Sequence, residues 1–299
     1  MTRQESSGTG RRPSDVGFAW LLVAPGLALI LAIVLYPLLR SLYNAFFKVS
    51  LVTPGRQFVG LANIRTVLSG NFAGLLGQTM IYTLGATVCA FGVGLALALA
   101  LNQKMRGGNV LRGILLIPWL IPSVVVSFLW MWIFDANYGV LNGVLQWLGV
   151  IPQPHAWLFA TGTARAALIV AKTWNSFPWI MVMLLAALQT VPVDLHEAAH
   201  LDGANVIQRF LNVTWPHIRP VAAMVALMES IWNIQHFDTI FVLTGGGPAG
   251  TTDTFATKVY DMAFRGWNLG TAGALGLLWM AILLVLVIIY VQVSERGTE

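Results

Sequence analysis

Charge is what this chain has least of. Only 10% of its 299 residues are Asp, Glu, Lys or Arg, while 57% are hydrophobic and the mean hydropathy is +0.73. A soluble domain carries roughly 25% charged residues, so the composition excludes a water-soluble globular protein and reads as a polytopic membrane protein. There is one cysteine, Cys89, inside an apolar run. A lone thiol excludes an intrachain disulfide and a multi-thiolate metal site, which leaves packing as its role. No G-x-x-x-x-G-K-[ST] phosphate loop occurs, which excludes P-loop ATP hydrolysis by this chain. The first apolar run, from about Val16 to Leu39, is too long for a signal-peptide core and shows no clear small-x-small cleavage site, so it is expected to be a retained transmembrane helix. The net charge of +5 is no sign of nucleic acid here, because the bases sit in short loops and tails, where they orient helices.

What is present is a series of long apolar runs. A span takes about 20 mainly apolar residues, and six segments qualify, at about 16–39, 78–101, 111–134, 165–188, 219–243 and 270–293. Backbone amides find no water in hydrocarbon, so each must be helical. The expected fold is an all-α integral membrane protein with six transmembrane helices over 16–293, a disordered cytoplasmic tail at 1–15 and a cytoplasmic C-terminal tail at 294–299. With both termini inside, cytoplasmic segments hold nine bases (Arg3, Arg11, Arg12, Lys104, Arg106, Arg112, Arg209, Arg219, Arg296) against six outside (Arg40, Lys48, Arg56, Arg65, Lys258, Arg265). The second outside loop, 135–163, has no base and supports that orientation; the first, with four, opposes it. Gly85, Gly92, Gly94, Gly270, Gly273 and Gly276 are expected to let helices approach closely. Pro118 and Pro122 in the third span and Pro178 in the fourth are expected to kink them.

Residues 194–220, DLHEAAHLDGANVIQRFLNVTWPHIRP, form a polar island between two apolar runs. His196-Glu197-Ala198-Ala199-His200 matches H-E-x-x-H, which on a helix sets two histidines on one face for zinc, with the glutamate as general base. A third ligand is needed. Asp202, His217 and Glu229 are the candidates, none at a convincing spacing, and Gly203 stands where a metal-bearing helix should continue. A second reading takes Asp194 as the cap of a helix through Ala199, Gly203 as a turn, and Ala204 to about Val213 as a second helix with Val206, Phe210 and Val213 at helical spacing, ended by Pro216 and Pro220. Such a helix-turn-helix lies along the membrane. Its small Ala198–Ala199 face can enter a groove on a soluble partner, with Glu197 and Asp202 fixing the register; the plainer alternative is an amphipathic interfacial loop.

The island also resembles the EAA motif of ABC-importer permeases, matching E-A-A-x-x-D-G-A-x(5)-F-x-x-V-x-x-P with Trp215 in place of the usual leucine. Downstream, Phe237 through Pro248 (FDTIFVLTGGGP), the run Tyr260 to Leu275 with Phe264, Asn268 and Gly270, and Trp174-Asn175-Ser176-Phe177-Pro178-Trp179 are similar to carbohydrate-uptake permeases of the maltose and glycerol-3-phosphate type. The resemblance spans roughly residues 17–293. It implies a type I ABC importer permease of the bacterial cytoplasmic membrane that moves a sugar or sugar-like solute and does no chemistry. It implies a second permease subunit (a heterodimer), two ABC ATPase subunits that bind ATP and Mg in place of any cofactor here, and an extracytoplasmic solute-binding protein. Glu197, Ala198, Ala199, Asp202 and Gly203 would be the ATPase-coupling residues.

Polar residues inside spans are expensive and mark function by default. Glu229, Trp232, Asn233 and His236 recur at i, i+3, i+4 and i+7 in the fifth span, and Lys172, Asn175, Ser176 and Trp179 share that spacing in the fourth. Indole packs on sugar C–H faces and amide, carboxylate and imidazole satisfy hydroxyls, so two facing stripes suit a sugar, with Pro178 placed to break the helix there. The blander reading pairs Lys172 with Glu229 as a structural ion pair. Two functions of other classes stand beside the importer: a membrane zinc metalloprotease using His196, Glu197 and His200, and a secondary transporter that needs no ATPase.

Overall fold

The computed structural model describes residues 13–103 and 105–296. In chain order its elements are α1 (Pro13–Ile30), a wide π-type turn (Leu31–Leu35), α2 (Tyr36–Asn44), β1 (Phe47–Val49), β2 (Arg56–Phe58), α3 (Ala62–Ser69), α4 (Phe72–Leu101), α5 (Gly108–Leu120), α6 (Ser123–Ile133), α7 (Val140–Trp147), α8 (Thr161–Leu188), α9 (Val193–Leu201), α10 (Val206–Arg209), a second wide turn (Phe210–Thr214), α11 (Trp215–Ile234), α12 (Asp238–Leu243), α13 (Phe255–Tyr260), a third wide turn (Asp261–Arg265) and α14 (Leu269–Arg296). Helix occurs at all six expected places. Among the described residues, four stretches are long and apolar enough to cross a bilayer by themselves, at 17–44, 72–101, 161–188 and 269–288, and the bent pair α5–α6 makes a fifth if it is one span. The expected segment 219–243 is divided between α11 and α12, and buried Glu229 and Asn233 dilute its apolar character. The tail expected at 1–15 is helical from Pro13, a favoured first helical residue. Arg3, Arg11, Arg12, Lys104 and the remainder of both expected tails, residues 1–12 and 297–299, lie outside the described residues.

The chain divides into two compact units. One comprises residues 13–67 with 262–296. It contains a departure from the all-α expectation, the antiparallel hairpin β1–β2, with Phe47 opposite Phe58, Lys48 opposite Gln57 and Val49 opposite Arg56. Buried Asn63 on α3 donates to the carbonyls of Ala45 and Phe47, both at 2.9 Å. On α14, a Cβ at Gly270 would fall 2.4 Å from the Phe47 carbonyl and one at Gly273 2.6 Å from that of Ser41, so both glycines permit the expected close contact. Gly92 and Gly276 face open space, and no close approach uses them.

The other unit spans residues 68–261. Its centre is α4 against α8, with α11 lying on both. Gly85 and Gly94 set the approach: a Cβ at Gly85 would meet Ile169 at 2.6 Å, and one at Gly94 would meet Ile180 at 2.8 Å. Ile180, Met181, Leu184, Ile218 and Val225 are fully buried in the resulting core.

The prolines act differently from one another. Pro122 has no N–H, so the carbonyl of Pro118, four residues earlier, has no helical partner. The helix stops, Ile121 turns extended (φ −80°, ψ 130°), and α6 departs from α5 at 94°. Pro178, by contrast, is buried inside an unbroken α8, contrary to the expected break there. Pro37 and Pro216 each follow a wide turn, where the N–H of Tyr36 reaches back to Leu31 and that of Trp215 to Phe210, five residues instead of four. Widening the preceding turn makes room for the proline ring that would otherwise strike the carbonyl four residues back. Helix therefore runs from Val206 into α11, and Pro216 and Pro220 do not interrupt it as expected.

Candidate functional site

Three helices of the second unit bring polar side chains into a region where lipid-facing sequence would be uniformly apolar. From α11, Glu229 and Asn233 are each 1% exposed. From α8, Lys172 and Ser176 are buried. From α4 come Tyr82, Thr83 and Thr87, hydroxyls in an otherwise apolar run that the sequence analysis did not single out. Asn233 donates through Nδ2 to Thr87 Oγ1 at 3.0 Å, and Ser230 reaches the same oxygen at 3.4 Å. The cluster is incompletely paired. Both carboxylate oxygens of Glu229, Asn233 Oδ1, the Tyr82 hydroxyl, Thr83 Oγ1 and Thr173 Oγ1 are buried without a hydrogen-bond partner. The Lys172–Glu229 ion pair does not form. An unpaired buried polar atom costs about 1–3 kcal/mol, so a site holding several is poised for a hydrogen-bonding ligand or ordered water.

The two expected stripes meet in part. Trp179 of α8 and Trp232 of α11 stand with ring centroids 5.0 Å apart, and Trp232 is 43% exposed. Trp179 Nε1 is buried and unpartnered. His236 falls beyond the end of α11, in the break before α12, where Nε2 meets Thr239 Oγ1 at 2.7 Å. Asn175 points elsewhere. Its Nδ2 donates at 2.8 Å to the Pro118 carbonyl that Pro122 left unpaired. The backbone breaks thus lie at 121–122 and 235–237, and a hydrogen bond from Ser123 to the Asp238 carboxylate joins the helices that restart after them, α6 and α12.

The polar island folds as two short helices around Gly203, whose φ is +81°. Asp194 lies inside the first turn of α9, with Pro192 at the cap position, so it does not cap as expected. Asn205 does cap, exchanging bonds of 2.9 Å with Gln208. Glu197, Ala198, Asp202 and Gly203 are exposed and Ala199 is half-buried. Leu201 (87% exposed), Val206 (72%) and Ile207 (69%) present apolar surface; Val213 turns into the core, so the expected Val206–Phe210–Val213 face is split. No group of three His, Cys, Asp or Glu side chains gathers to hold a metal among the described residues.

The FDTIFVLTGGGP signature runs through α12 into a tightly bonded loop. Gly245, Gly246 and Gly250 have positive φ, and the Asp253 carboxylate occupies the space where a Gly246 Cβ would stand. Burial pushes the Asp253 carboxyl above the usual range, against the pull of Lys258 at 3.3 Å. Arg165 Nε donates to the Thr251 carbonyl at 2.9 Å, tying the loop to α8. Between this loop, Phe134–Asn137 and Leu158–Phe159 opens a cleft of about 550 Å³. Its neighbour, the segment after α6, is organised by buried Asn142, which donates to the carbonyls of Asp135, Ala136 and His155 and accepts from His155 N–H and Trp157 Nε1.

Residues 90–298 match the family described as binding-protein-dependent transport system inner membrane components. This chain belongs to that family. It is 34% identical over 285 residues to the trehalose/maltose transport system permease protein MalF of Thermococcus litoralis, covering 94% of this chain and 95% of that one. It is 31% identical over 288 residues to the trehalose transport system permease protein SugA of Mycobacterium tuberculosis, covering 96% and 91%. It superposes with TM-score 0.81 and 25% identity on a chain of a bacterial alginate ABC transporter solved in complex with an alginate pentasaccharide-bound periplasmic protein, covering 97% of this chain and 99% of the other. The protein is a permease subunit of an ABC importer, an inner-membrane component with several apolar helices, with the type I permease fold. Neither the zinc protease nor the secondary transporter finds support.

Proposed function

We propose that this permease subunit translocates a sugar, delivered by an extracytoplasmic solute-binding protein, across the bacterial cytoplasmic membrane. It pairs with a second, different permease subunit, and two ABC ATPase subunits that bind ATP and Mg drive the cycle. Both termini are cytoplasmic. The observation that carries the solute class is the buried, incompletely hydrogen-bonded cluster of Glu229, Asn233 and Tyr82 beside the Trp179–Trp232 pair. A saccharide offers many hydroxyls to such acceptors and a C–H face to indole. The names of its relatives, permeases for trehalose and maltose, point to the same class. Lys172 is the sole base deep in a span, which favours a neutral sugar over a phosphate. Substrate contacts are assigned to Glu229, Trp232, Asn233 and His236 on one side and Lys172, Ser176 and Trp179 on the other, with Asn175 supporting the bend of the third span.

ATPase coupling is assigned to Glu197, Ala198, Ala199, Asp202 and Gly203. The exposed apolar residues around them offer a surface for a soluble partner, and closure of the ATPases biases the spans between two openings by differential affinity. The first test is purification from the native membrane in mild detergent with mass spectrometry of what accompanies the chain. A second permease and an ABC ATPase are expected; a chain that purifies alone refutes the assembly. For the site, Asn233→Ala and Trp232→Ala are expected to abolish uptake in an assembled complex, and normal uptake in both refutes it.

A further inference from the structure

The turn that leads from α4 into α5 carries bases and no acid. Lys104, Arg106 and Arg112 fall within nine residues, and between residues 16 and 134 the sequence contains no Asp or Glu. Neither arginine enters an ion pair among the described residues. Together they line a hollow of about 550 Å³ between the end of α4 and the first turn of α5, with Asn102, Gln103 and Asn109 also on its walls. Arg112 is held in place. Its Nη2 donates to the Leu101 carbonyl at 3.0 Å and its Nη1 to Asn109 Oδ1 at 3.4 Å, while Nε is buried without a partner. Those bonds use two of the five N–H donors that a guanidinium has. Arg106 is exposed. Gly107 has a φ of +79°, and a Cβ at Gly107 or Gly108 would meet nothing within 4 Å, so the backbone there borders open space. Along α5, Val110, Leu111 and Ile114 are apolar and exposed.

We infer that this hollow binds the phosphate of an anionic phospholipid in the cytoplasmic leaflet. The inference rests on the orientation proposed above, which puts residues 102–112 inside. A phosphodiester fits the hollow in charge and in chemistry. Guanidinium groups hold phosphate oxygens through paired N–H donors, and the amides of Asn102, Gln103 and Asn109 can exchange hydrogen bonds with headgroup hydroxyls. The surroundings favour a lipid over a phosphate free in solution. The bases stand where α4 ends and α5 begins, and exposed Val110, Leu111 and Ile114 give an acyl chain an apolar surface on the same helix. Basic pockets between helices on the cytoplasmic side are suited to anionic headgroups, which that leaflet supplies.

The test titrates phosphatidylglycerol into the assembled transporter in detergent and counts bound lipid by native mass spectrometry, with phosphatidylcholine and inorganic phosphate as parallel probes. The wild type is expected to retain phosphatidylglycerol in preference to phosphatidylcholine. Each base near an anionic headgroup is worth about fivefold in binding. Arg106→Gln/Arg112→Gln should therefore weaken phosphatidylglycerol binding about tenfold or more and leave phosphatidylcholine unchanged. Arg112 also braces the end of α4, so Arg106→Gln alone is the second variant, with a loss of about fivefold expected. Arg106→Lys, which keeps the charge, should retain binding. Phosphatidylglycerol binding by both neutralised variants equal to that of the wild type overturns the proposal. So does an equal loss on neutralising Arg40 and Arg56, two bases outside the hollow, since net charge alone would then be at work. Inorganic phosphate that binds with the same arginine dependence while phosphatidylglycerol does not also overturns it, in favour of a free anion. Membrane-impermeant labelling of Gln103→Cys in a Cys89→Ala background tests the orientation separately. Reaction from the outside refutes that orientation and with it the cytoplasmic leaflet, whereas reaction from the cytoplasm alone, with arginine-independent lipid binding, refutes only the site.

Discussion

Replacing Asn175 with alanine distinguishes a strut from a substrate contact. In the structure its amide serves the Pro118 carbonyl, which Pro122 cannot serve for want of an N–H. Asn175→Ala leaves that buried carbonyl without a partner. Unsatisfied buried groups cost about 1–3 kcal/mol, while interhelical side-chain bonds in a bilayer average about 0.6 and reach about 1.7. A loss of about 1–2 kcal/mol follows, a roughly 5- to 30-fold rise in the unfolded fraction. It is read as earlier thermal inactivation of the purified complex. Asn175→Asp should be worse, since an acceptor then faces an acceptor. The decisive comparison adds Pro122→Ala, which returns an N–H at position 122. In that background the cost of Asn175→Ala should shrink, because the carbonyl has a helical partner again. Equal cost in both backgrounds refutes the strut. So does an Asn175→Ala complex that is as stable as the wild type yet fails to take up solute, since the amide would then belong to the substrate.

Other perturbations test other links. Gly246→Ala should destabilise the signature loop more than Gly250→Ala: both have positive φ, but the first Cβ lands 2.0 Å from an Asp253 oxygen and the second 3.2 Å. Equal losses in thermal stability would mean that backbone conformation alone matters there. Asn142→Ala removes one side chain serving three carbonyls and two N–H groups and should open residues 135–157 to limited proteolysis while sparing α4 and α8; an unchanged cleavage pattern refutes the organising role. Glu197→Lys puts a base on the exposed turn assigned to ATPase coupling and is expected to leave ATP hydrolysis no longer stimulated by solute-loaded binding protein. Normal transport by that variant removes Glu197 from the coupling surface.

Much of this was legible in the residues because apolar runs and fixed motifs act locally. The placement of six helical segments and the turn at Gly203 follow from local sequence, and of the two expected stripes the structure brings Trp179 and Trp232 together. What was not legible depends on partners far away in sequence. Asn175 shares the stripe's spacing, yet its amide goes to a carbonyl 57 residues away, freed by a proline in another helix. Thr83 and Thr87 do stand at i and i+4, but hydroxyls at that spacing in an apolar run do not mark a site by themselves; with Tyr82 they belong to it because α4 packs on α11 and α8. The same reasoning separates the prolines. Pro118 and Pro122, four apart, remove one carbonyl's only helical partner, whereas Pro37 and Pro216 follow turns that have already widened.

The consequence bears on transport. Irregular backbone at membrane depth is tolerated where protein or a cavity covers it, and solute sites favour helix breaks. Here the breaks lie at 121–122 and 235–237, and α8 stays whole through Pro178. The helices that restart, α6 and α12, are joined through Ser123 and Asp238. α12 leads directly into the loop that Arg165 ties to α8. The moving parts of the solute path are thus expected to be the α6–α12 pair, and α4 with α8, held close by Gly85 and Gly94, the fixed frame against which they shift.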